Sequence, residues 1–137
     1  KQSVKKNKNS VAKSISKKTT SYFLKSDKIK TVLVYFNYDS YIFSTDEKEK
    51  LDNIILNTIK NNSNPIIIYG HTDTKGPKPY NLKLSEKRAL SVSQYFKTKG
   101  IANRLIIKSY GENYPYLDTG DNISEEKNRR VEIIINN

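Results

Sequence analysis

The chain has 137 residues, a net charge of +11 and no cysteine, and 35% of its residues are hydrophobic. This length suits one domain with an extension and excludes a large multidomain enzyme. The lack of cysteine excludes a disulfide framework, a zinc ribbon and a thiol nucleophile. The apolar runs are far shorter than the ~18 residues of a membrane-spanning helix. Because the sequence contains no methionine, we expect a processed or shortened form of a longer product.

The positive charge is concentrated at the N-terminus. Residues 1–30 contain ten lysines and one acidic residue, a net charge of +9, whereas residues 31–137 carry only +2. The first segment has no sustained hydrophobic period, so we expect a largely flexible basic arm or linker. An electrostatic contact with an anionic polymer or a membrane surface is the alternative. The aromatic and aliphatic residues 22–24 would suit docking of the end of this arm on the domain.

The first half of the domain, which we place at residues 31–137, is predicted to contain two strands and a helix. A β-branched and aromatic run beginning at Thr31 predicts the first strand. A helix is predicted from Ser44 to Lys60, with Ser44 as N-cap and Glu47 at the spacing of a capping box. The apolar run from Ile66 to Tyr69 predicts a central strand that is covered on both faces. The buried face of the helix is predicted to contain Leu51, Ile54, Ile55 and Ile59.

The second half is predicted to contain a helix and two more strands. The helix runs from about Lys78 to Lys99, with Ala89, Val92 and Phe96 on its buried face, and Gly100 suits the position after its end. Strands are predicted from Leu105 to Tyr110 and from Arg130 to Ile135, with a polar loop between them. The order β-α-β-α-β-β predicts an α/β (α+β) two-layer sandwich, in which two main helices pack on a mixed four-stranded sheet.

Polar residues follow the predicted central strand. His71, Thr72 and Asp73 come directly after it, and ligands of open α/β sheets bind at the carboxyl ends of strands. Arg88 follows Asp73 by 15 residues, inside a helix whose N-terminal amides face the same loop. We therefore expect an acid, a guanidinium and backbone donors to converge at a solvent-accessible rim. At such a rim, replacing Asp73 or Arg88 would cost little stability.

Structural roles are also consistent with these residues. Asp73 suits a cap for the turn before the helix, and Arg88 suits a solvated helix residue or a structural partner of Asp73. His71 is expected to be a hydrogen-bonding residue at a strand end, because a His-x-Asp pattern alone is a weak metal signal. Arg129 and Arg130 also suit salt bridges with Glu112 or Glu126. No nucleophile motif is present, so we predict no catalytic residue, no metal and no cofactor.

Four separated blocks resemble a known family. They read GHTDTKG, YNLKLSEKRALSV, KSYGENYP and NRRVEI, and they occur in the order found in the OmpA C-terminal-like (OmpA/Pal/MotB) domain family. The resemblance covers about residues 31–137. It implies a non-enzymatic domain that binds peptidoglycan non-covalently, through the meso-diaminopimelate of the stem peptide. It also implies a periplasmic location beside the outer membrane, where such domains anchor an envelope assembly to the cell wall.

The resemblance also implies the residues of the site. Asp73 and Arg88 are expected to hold meso-diaminopimelate, whose free end carries an ammonium and a carboxylate. Asp73 would accept from the ammonium, and Arg88 would fork onto the carboxylate, which lysine-type stem peptides lack. The family usually has Asp where this chain has Asn37. The further residues expected at the site are Asn37, Asp39, Thr72, Asn81 and Arg129.

A basic protein that binds nucleic acid or another polyanion is the alternative function. Only the lysine-rich arm favours it, because the remaining residues are close to neutral. The ten tyrosines do not recur in the paired arrangement of single-strand binders. Nucleic acid is therefore the less favoured partner.

Overall fold

The computed structural model describes residues 29–136. Its strands are β1 (Ile29–Tyr35), β2 (Ile66–Gly70), β3 (Leu105–Ser109) and β4 (Arg130–Asn136). Its helices are α1 (Thr45–Ile54), which continues as a π-helical turn (Ile55–Ile59), α2 (Lys78–Thr98) and a short 3-10 turn (Glu126–Asn128). Within this range no helix has both the length and the apolar character needed to cross a membrane. The predicted element order is confirmed. The arm predicted for residues 1–30 lies almost entirely outside the described residues.

The four strands form one mixed sheet in the order β1-β4-β2-β3. The β2 strand pairs parallel with β3 through the α2 crossover, and antiparallel with β4, which pairs antiparallel with β1. Every residue of β2 and β4 is buried, as expected of central strands with both faces covered. The predicted two-layer α+β architecture is therefore confirmed.

Alternate residues of the central strands point to two separate apolar clusters. On one face, Val131, Ile133 and Ile135 of β4 pack with buried residues of both helices. On the other face, Ile67, Tyr69 and Ile134 form a smaller cluster. The helix-facing cluster includes the predicted buried residues Leu51, Ile54, Ile59, Ala89, Val92 and Phe96.

The α1 helix differs from its prediction in two respects. The Ser44 hydroxyl accepts from the Glu47 amide at 3.3 Å, so half of the capping box forms. The Glu47 carboxylate instead accepts from the Tyr35 amide at 3.1 Å and from Lys50 Nζ at 2.8 Å, and thereby ties α1 to β1. The prediction of one regular helix to Lys60 was wrong, because the last turn widens and the Lys60 amide donates to the Ile55 carbonyl. Both geometries keep Ile59 buried, so the apolar spacing did not separate them.

A buried ionic group lies on the face of the sheet away from the helices. Arg130 donates to Glu132 Oε2 through Nη2 at 2.6 Å and Nε at 3.0 Å, and both side chains are fully buried. His71 Nε2 lies 3.6 Å from Glu132 Oε1. Burial lowers the pKa of His71 to about 4 despite the neighbouring carboxylate. Burial would raise the pKa of Glu132, but His71 and Arg130 lower it below its usual value. The expectation that Arg130 pairs with Glu112 or Glu126 was therefore wrong.

Gly70 brings α2 against the sheet. A Cβ atom at this position would lie 1.9 Å from the carbonyl oxygen of Ser85, an atom of the α2 backbone. Helix and strand therefore approach more closely than any side chain at position 70 allows. This contact fixes the distance between the end of β2 and the helix that carries Arg88.

We expect Gly70→Ala to destabilise the domain by about 3 kcal/mol or more, the upper range for an overpacked core, because helix backbone must move. Urea unfolding monitored by circular dichroism measures the change. Leu90→Ala is the matched control, because Leu90 is exposed on the same helix and its loss should change stability by less than ~0.5 kcal/mol. Equal stabilities of Gly70→Ala and the parent would contradict the close contact.

We expect stability to fall as the pH decreases from 7.5 to 5.5. The pKa of His71 is about 4 in the folded state, below the unfolded value of 6.5. Between pH 7.5 and 5.5 the unfolded chain therefore binds a proton at His71 and the folded chain does not, which favours unfolding as the pH falls. The expected loss is about 1 kcal/mol, from urea unfolding at the two pH values. His71 is the single histidine of the chain, so His71→Gln should remove most of this dependence. The same pH dependence in His71→Gln would mean that another group is responsible.

Candidate ligand-binding pocket

A pocket of about 220 Å³ opens at the carboxyl ends of β1 and β2. Its walls come from the loop after β1, the loop after β2 and the first turns of α2. These three segments meet because α2 returns over the sheet directly above Gly70. The polar and charged residues that line the pocket are Tyr38, Asp39, Asp73, Lys75, Tyr80, Asn81 and Arg88.

The Asp73 carboxylate is held from three directions. Its Oδ1 accepts from the Lys75 amide at 3.2 Å, as in a turn cap. Its Oδ2 accepts from the Glu125 amide and from Arg129 Nη1, both at 3.1 Å. A carboxylate has about four acceptor positions, so one position on Oδ1 remains among the described residues. Asp73 therefore has both the structural role and the open acceptor that a ligand site requires.

The Arg88 guanidinium is held by three backbone carbonyls. Its Nε donates to Ser40 at 2.8 Å, Nη1 to His71 at 3.0 Å and Nη2 to Asn37 at 3.2 Å. A guanidinium has five N–H donors, so one on each terminal nitrogen remains within residues 29–136. Burial lowers the pKa of Arg88 to about 10, and Asp73 opposes this shift, so the group stays charged at neutral pH. The two remaining donors belong to one planar group that lines the pocket.

Both principal residues are more buried than predicted. Arg88 is 0% exposed and Asp73 is 3% exposed, so the expectation of a solvent-accessible rim was wrong. The physical reason is that Arg88 satisfies backbone carbonyls of two loops, which sequence spacing does not reveal. Removing a partner of a buried polar group leaves that group unsatisfied, at about 1–3 kcal/mol each. Replacement of either residue is therefore expected to cost stability, which corrects the expectation of a small effect.

Asn81 and Asp39 also line the pocket. Asn81 Nδ2 donates to Glu112 Oε1 at 2.9 Å and to the Lys75 carbonyl at 3.1 Å, which fixes the loop after β2. Asp39, whose φ is +54°, accepts a hydrogen bond from the Tyr80 hydroxyl. This hydrogen bond raises the pKa of Tyr80. The structure therefore brings these two predicted residues together with Asp73 and Arg88.

Three other predicted residues lie beside the pocket and do not line it. The Thr72 hydroxyl is buried and donates to the Asp73 carbonyl at 2.8 Å. Asn37 contributes its backbone carbonyl to Arg88, while its exposed side chain lines an adjoining cavity of about 310 Å³. Arg129 lines that cavity too and reaches the site through Asp73. The expectation that Arg129 pairs with Glu112 or Glu126 was wrong, because its carboxylate partner is Asp73.

Six lining residues were not predicted from the sequence, namely Tyr38, Lys75, Gly76, Pro77, Tyr80 and Leu84. Tyr80 stands seven residues after Asp73, at the start of the predicted helix, and its position there was the available signal. The α2 helix has Pro77 as N-cap and no side-chain cap, and Pro77, Tyr80 and Asn81 at its start line the pocket. Among residues 29–136 no cluster of three metal-ligating side chains occurs.

Known proteins are similar to this chain in sequence and in fold. Residues 35–129 match the OmpA family. The chain is 36% identical over 100 residues to the peptidoglycan-associated lipoprotein of Pseudomonas putida, covering 72% of this chain and 60% of that protein. It is 39% identical over 109 residues to photosystem I P700 chlorophyll a apoprotein A2 of Gloeobacter violaceus, covering 74% of this chain but 12% of that protein.

A solved structure has the same architecture. The OmpA-like domain of FopA1 from Francisella tularensis superposes with a TM-score of 0.68 at 29% identity, covering 78% of this chain and 71% of that domain. The chain thus spans only part of the length of the curated relatives that it matches. Sequence and fold agree on one assignment: the chain belongs to the OmpA family.

Proposed function

We propose that this domain binds peptidoglycan non-covalently and anchors an envelope assembly to the cell wall. The more specific proposal is that the pocket takes the free end of meso-diaminopimelate in the stem peptide. The observation that carries it is the pairing, in one pocket, of an open acceptor on Asp73 with two open donors on Arg88. Similarity to a lipoprotein described as peptidoglycan-associated supports the broader proposal.

An amino acid end fits the charges of the pocket. It carries an ammonium and a carboxylate on one carbon atom, so its recognition requires an anion and a cation at fixed separation. Asp73 offers Oδ1 to the ammonium, and the loops hold this carboxylate in place before any ligand arrives. Asp39 adds a second acceptor at the pocket wall. Preorganised groups lose little entropy on binding, which favours affinity.

The carboxylate of the ligand would bind Arg88. The remaining N–H groups on Nη1 and Nη2 point from one planar group, which suits a bidentate pair with a carboxylate. Unpaired amides at the start of α2 add positive potential at the same wall. Lysine at position 88 would supply a point charge without this fork, and it would leave backbone carbonyls without donors.

The proposed site implies selectivity between wall types. A stem peptide with lysine in place of diaminopimelate has the ammonium but no second carboxylate. The two open donors of Arg88 would then be buried by the ligand without an acceptor, which is unfavourable. We therefore infer that the domain prefers diaminopimelate-type peptidoglycan.

The proposal includes no chemical step. Asp73 and Arg88 are both committed to fixed hydrogen bonds, so they serve for binding and not for proton transfer. The location that fits this function is the periplasm, beside the outer membrane and the cell wall. The tether would be supplied by another part of the protein. The alternative of polyanion binding concerns the basic arm, of which residues 1–28 lie outside the described residues.

We expect soluble muropeptides with meso-diaminopimelate to bind at least about 30-fold more tightly than the same muropeptides with lysine. This ratio corresponds to the lower end of the 2–5 kcal/mol typical when one partner of a buried charge pair is removed. Isothermal titration calorimetry with the two peptides measures it, and the unaltered protein avoids any effect of mutation on folding. Equal affinities would refute the assignment of the carboxylate to Arg88.

We expect Arg88→Lys and Asp73→Asn to lose most binding to purified diaminopimelate-type sacculi in a pelleting assay at moderate salt. Both variants should also melt at lower temperature, so binding is measured where circular dichroism shows them folded. Arg104→Lys is the matched control, because Arg104 is exposed and outside the pocket. Neutralising Lys5, Lys6, Lys17 and Lys18 should change only a salt-sensitive background. Folded variants that pellet like the parent would place wall binding elsewhere.

We expect no release of soluble muropeptides when the protein is incubated with purified sacculi. The reason is that the charged side chains of the pocket are fixed by hydrogen bonds and serve recognition. Chromatography of the supernatant, with a muramidase as positive control, measures any release. Products that increase with time and protein concentration would contradict a purely binding function.

A further inference from the structure

A groove of about 670 Å³ lies at the end of the sheet away from the ligand-binding pocket. Its walls are the π-helical turn with the residues after it, and the turn that follows α2. The Arg104 carbonyl accepts from the Ile66 amide at 2.9 Å, so the groove lies beside the amino end of β2. The pocket lies at the carboxyl end of β2, and the five residues of this strand separate the two sites by roughly 16 Å. Both sites can therefore be occupied at the same time.

The walls of the groove are held together by asparagine side chains. Asn103 Nδ2 donates to the backbone carbonyls of Asn62 and Asn64, at 2.8 and 2.9 Å, and thereby joins the two walls. Asn62 Nδ2 donates to the Asn136 carbonyl at 2.7 Å, which ties the first wall to the end of β4. These hydrogen bonds form the groove before any partner arrives, and a preformed surface loses little entropy on binding.

The floor of the groove is apolar. Ile59 is buried at its base, and Ile101 is partly exposed and packs against the helix-facing cluster. Leu56 lines the same groove with 59% of its surface exposed. The π-helical turn contains both Leu56 and Ile59, and such turns occur frequently at functional sites. Exposed apolar surface that is surrounded by polar residues is typical of an interaction site.

The rim of the groove is positively charged. Within the described part of the chain, its charged side chains are three cations, Lys60, Lys99 and Arg104, and one acid, Asp52, which together give +2. Asp52 accepts from the Tyr95 hydroxyl at 2.5 Å and lies 3.8 Å from Lys99 Nζ, so its charge is partly neutralised. The carbonyls at the end of α2 already accept from the amides of residues 99–101. The groove therefore offers side-chain cations around an apolar centre, the arrangement of a protein interface.

We propose that this groove binds an acidic amphipathic segment of a partner protein. Apolar side chains of the segment pack on Leu56 and Ile101, and its carboxylates lie against Lys60 and Lys99. The charge of the rim selects an acidic partner, and the concave floor selects side chains that insert. A membrane surface is flat and would leave the floor empty, which disfavours a lipid occupant. The proposal goes beyond wall binding and does not depend on the ligand of the pocket.

The first test is a nuclear magnetic resonance titration of the ¹⁵N-labelled full chain with synthetic helical peptides of about four turns, or roughly 14 residues. One peptide has a leucine stripe and glutamates, the second has lysines for the glutamates, and the third has serines for the leucines. We expect only the first peptide to shift the amide signals of Leu56, Lys60 and Ile101. Equal shifts with either of the other peptides, or no shift at about 1 mM of the first, would overturn the proposal.

The second test removes the two kinds of contact separately. We expect Leu56→Ser to weaken binding of the leucine–glutamate peptide by about tenfold or more, because apolar burial is lost. The double variant Lys60→Ser, Lys99→Ser should weaken it by about fivefold and reduce its salt dependence.

The matched controls are Leu90→Ser and the double variant Lys83→Ser, Lys87→Ser, because all three residues are exposed on α2 and lie outside the groove. Both controls should bind the peptide like the parent. Melting temperatures measured by circular dichroism should agree among all variants. Equal weakening in the variants and their controls would mean non-specific attraction and would overturn the proposal.

Two further samples test the other possible occupants. Vesicles of phosphatidylcholine and phosphatidylglycerol should not broaden the groove signals selectively. Dilution of the protein alone should leave these signals unchanged. Selective broadening by vesicles that Leu56→Ser abolishes would assign the groove to a membrane surface. Groove signals that shift with protein concentration would assign it to a second copy. Either result would overturn the proposal.

Discussion

The guanidinium of Arg88 is the centre on which the pocket depends. Its three donor bonds join carbonyls of the loop after β1 to the residue that follows β2. Since Arg88 itself lies on α2, one side chain fixes three segments that are distant in the sequence. The close contact at Gly70 determines the distance between α2 and the sheet, and the hydrogen bonds of Arg88 then hold the two loops in place. The pocket is consequently continuous with the core, and its shape is formed in the absence of a ligand.

Asp73 has the corresponding role for the second half of the chain. It caps its own loop through the Lys75 amide and fastens the segment before β4 through Glu125 and Arg129. A buried charge with several partners contributes little net stability, but removal of one partner is costly. Under the proposed function, ligand binding and folding would therefore depend on the same two residues, and mutational data must separate the two effects.

The elements that depend on a local sequence pattern could be predicted from the sequence. The apolar run of β2, the periodic face of α2 and Gly100 after its end all occur where they were predicted. The pairing of Asp73 with Arg129 was not predictable, because it joins residues 56 apart and depends on how the long polar loop folds back. The burial of Arg88 was also missed, because its acceptors are backbone carbonyls, which every residue possesses and no motif marks.

The register of the sheet places the pocket and the chain entry at opposite ends. Tyr35 and Arg130 pair at the pocket end, whereas Ile29 and Asn136 pair at the other. Under the proposed function, a pull between an N-terminal tether and a wall-bound ligand would run along β1 and β4. The hydrogen bonds between these strands would then share the load in shear, and would not open one at a time. The antiparallel pairing of two seven-residue strands, one of them fully buried, would suit the proposed anchoring role.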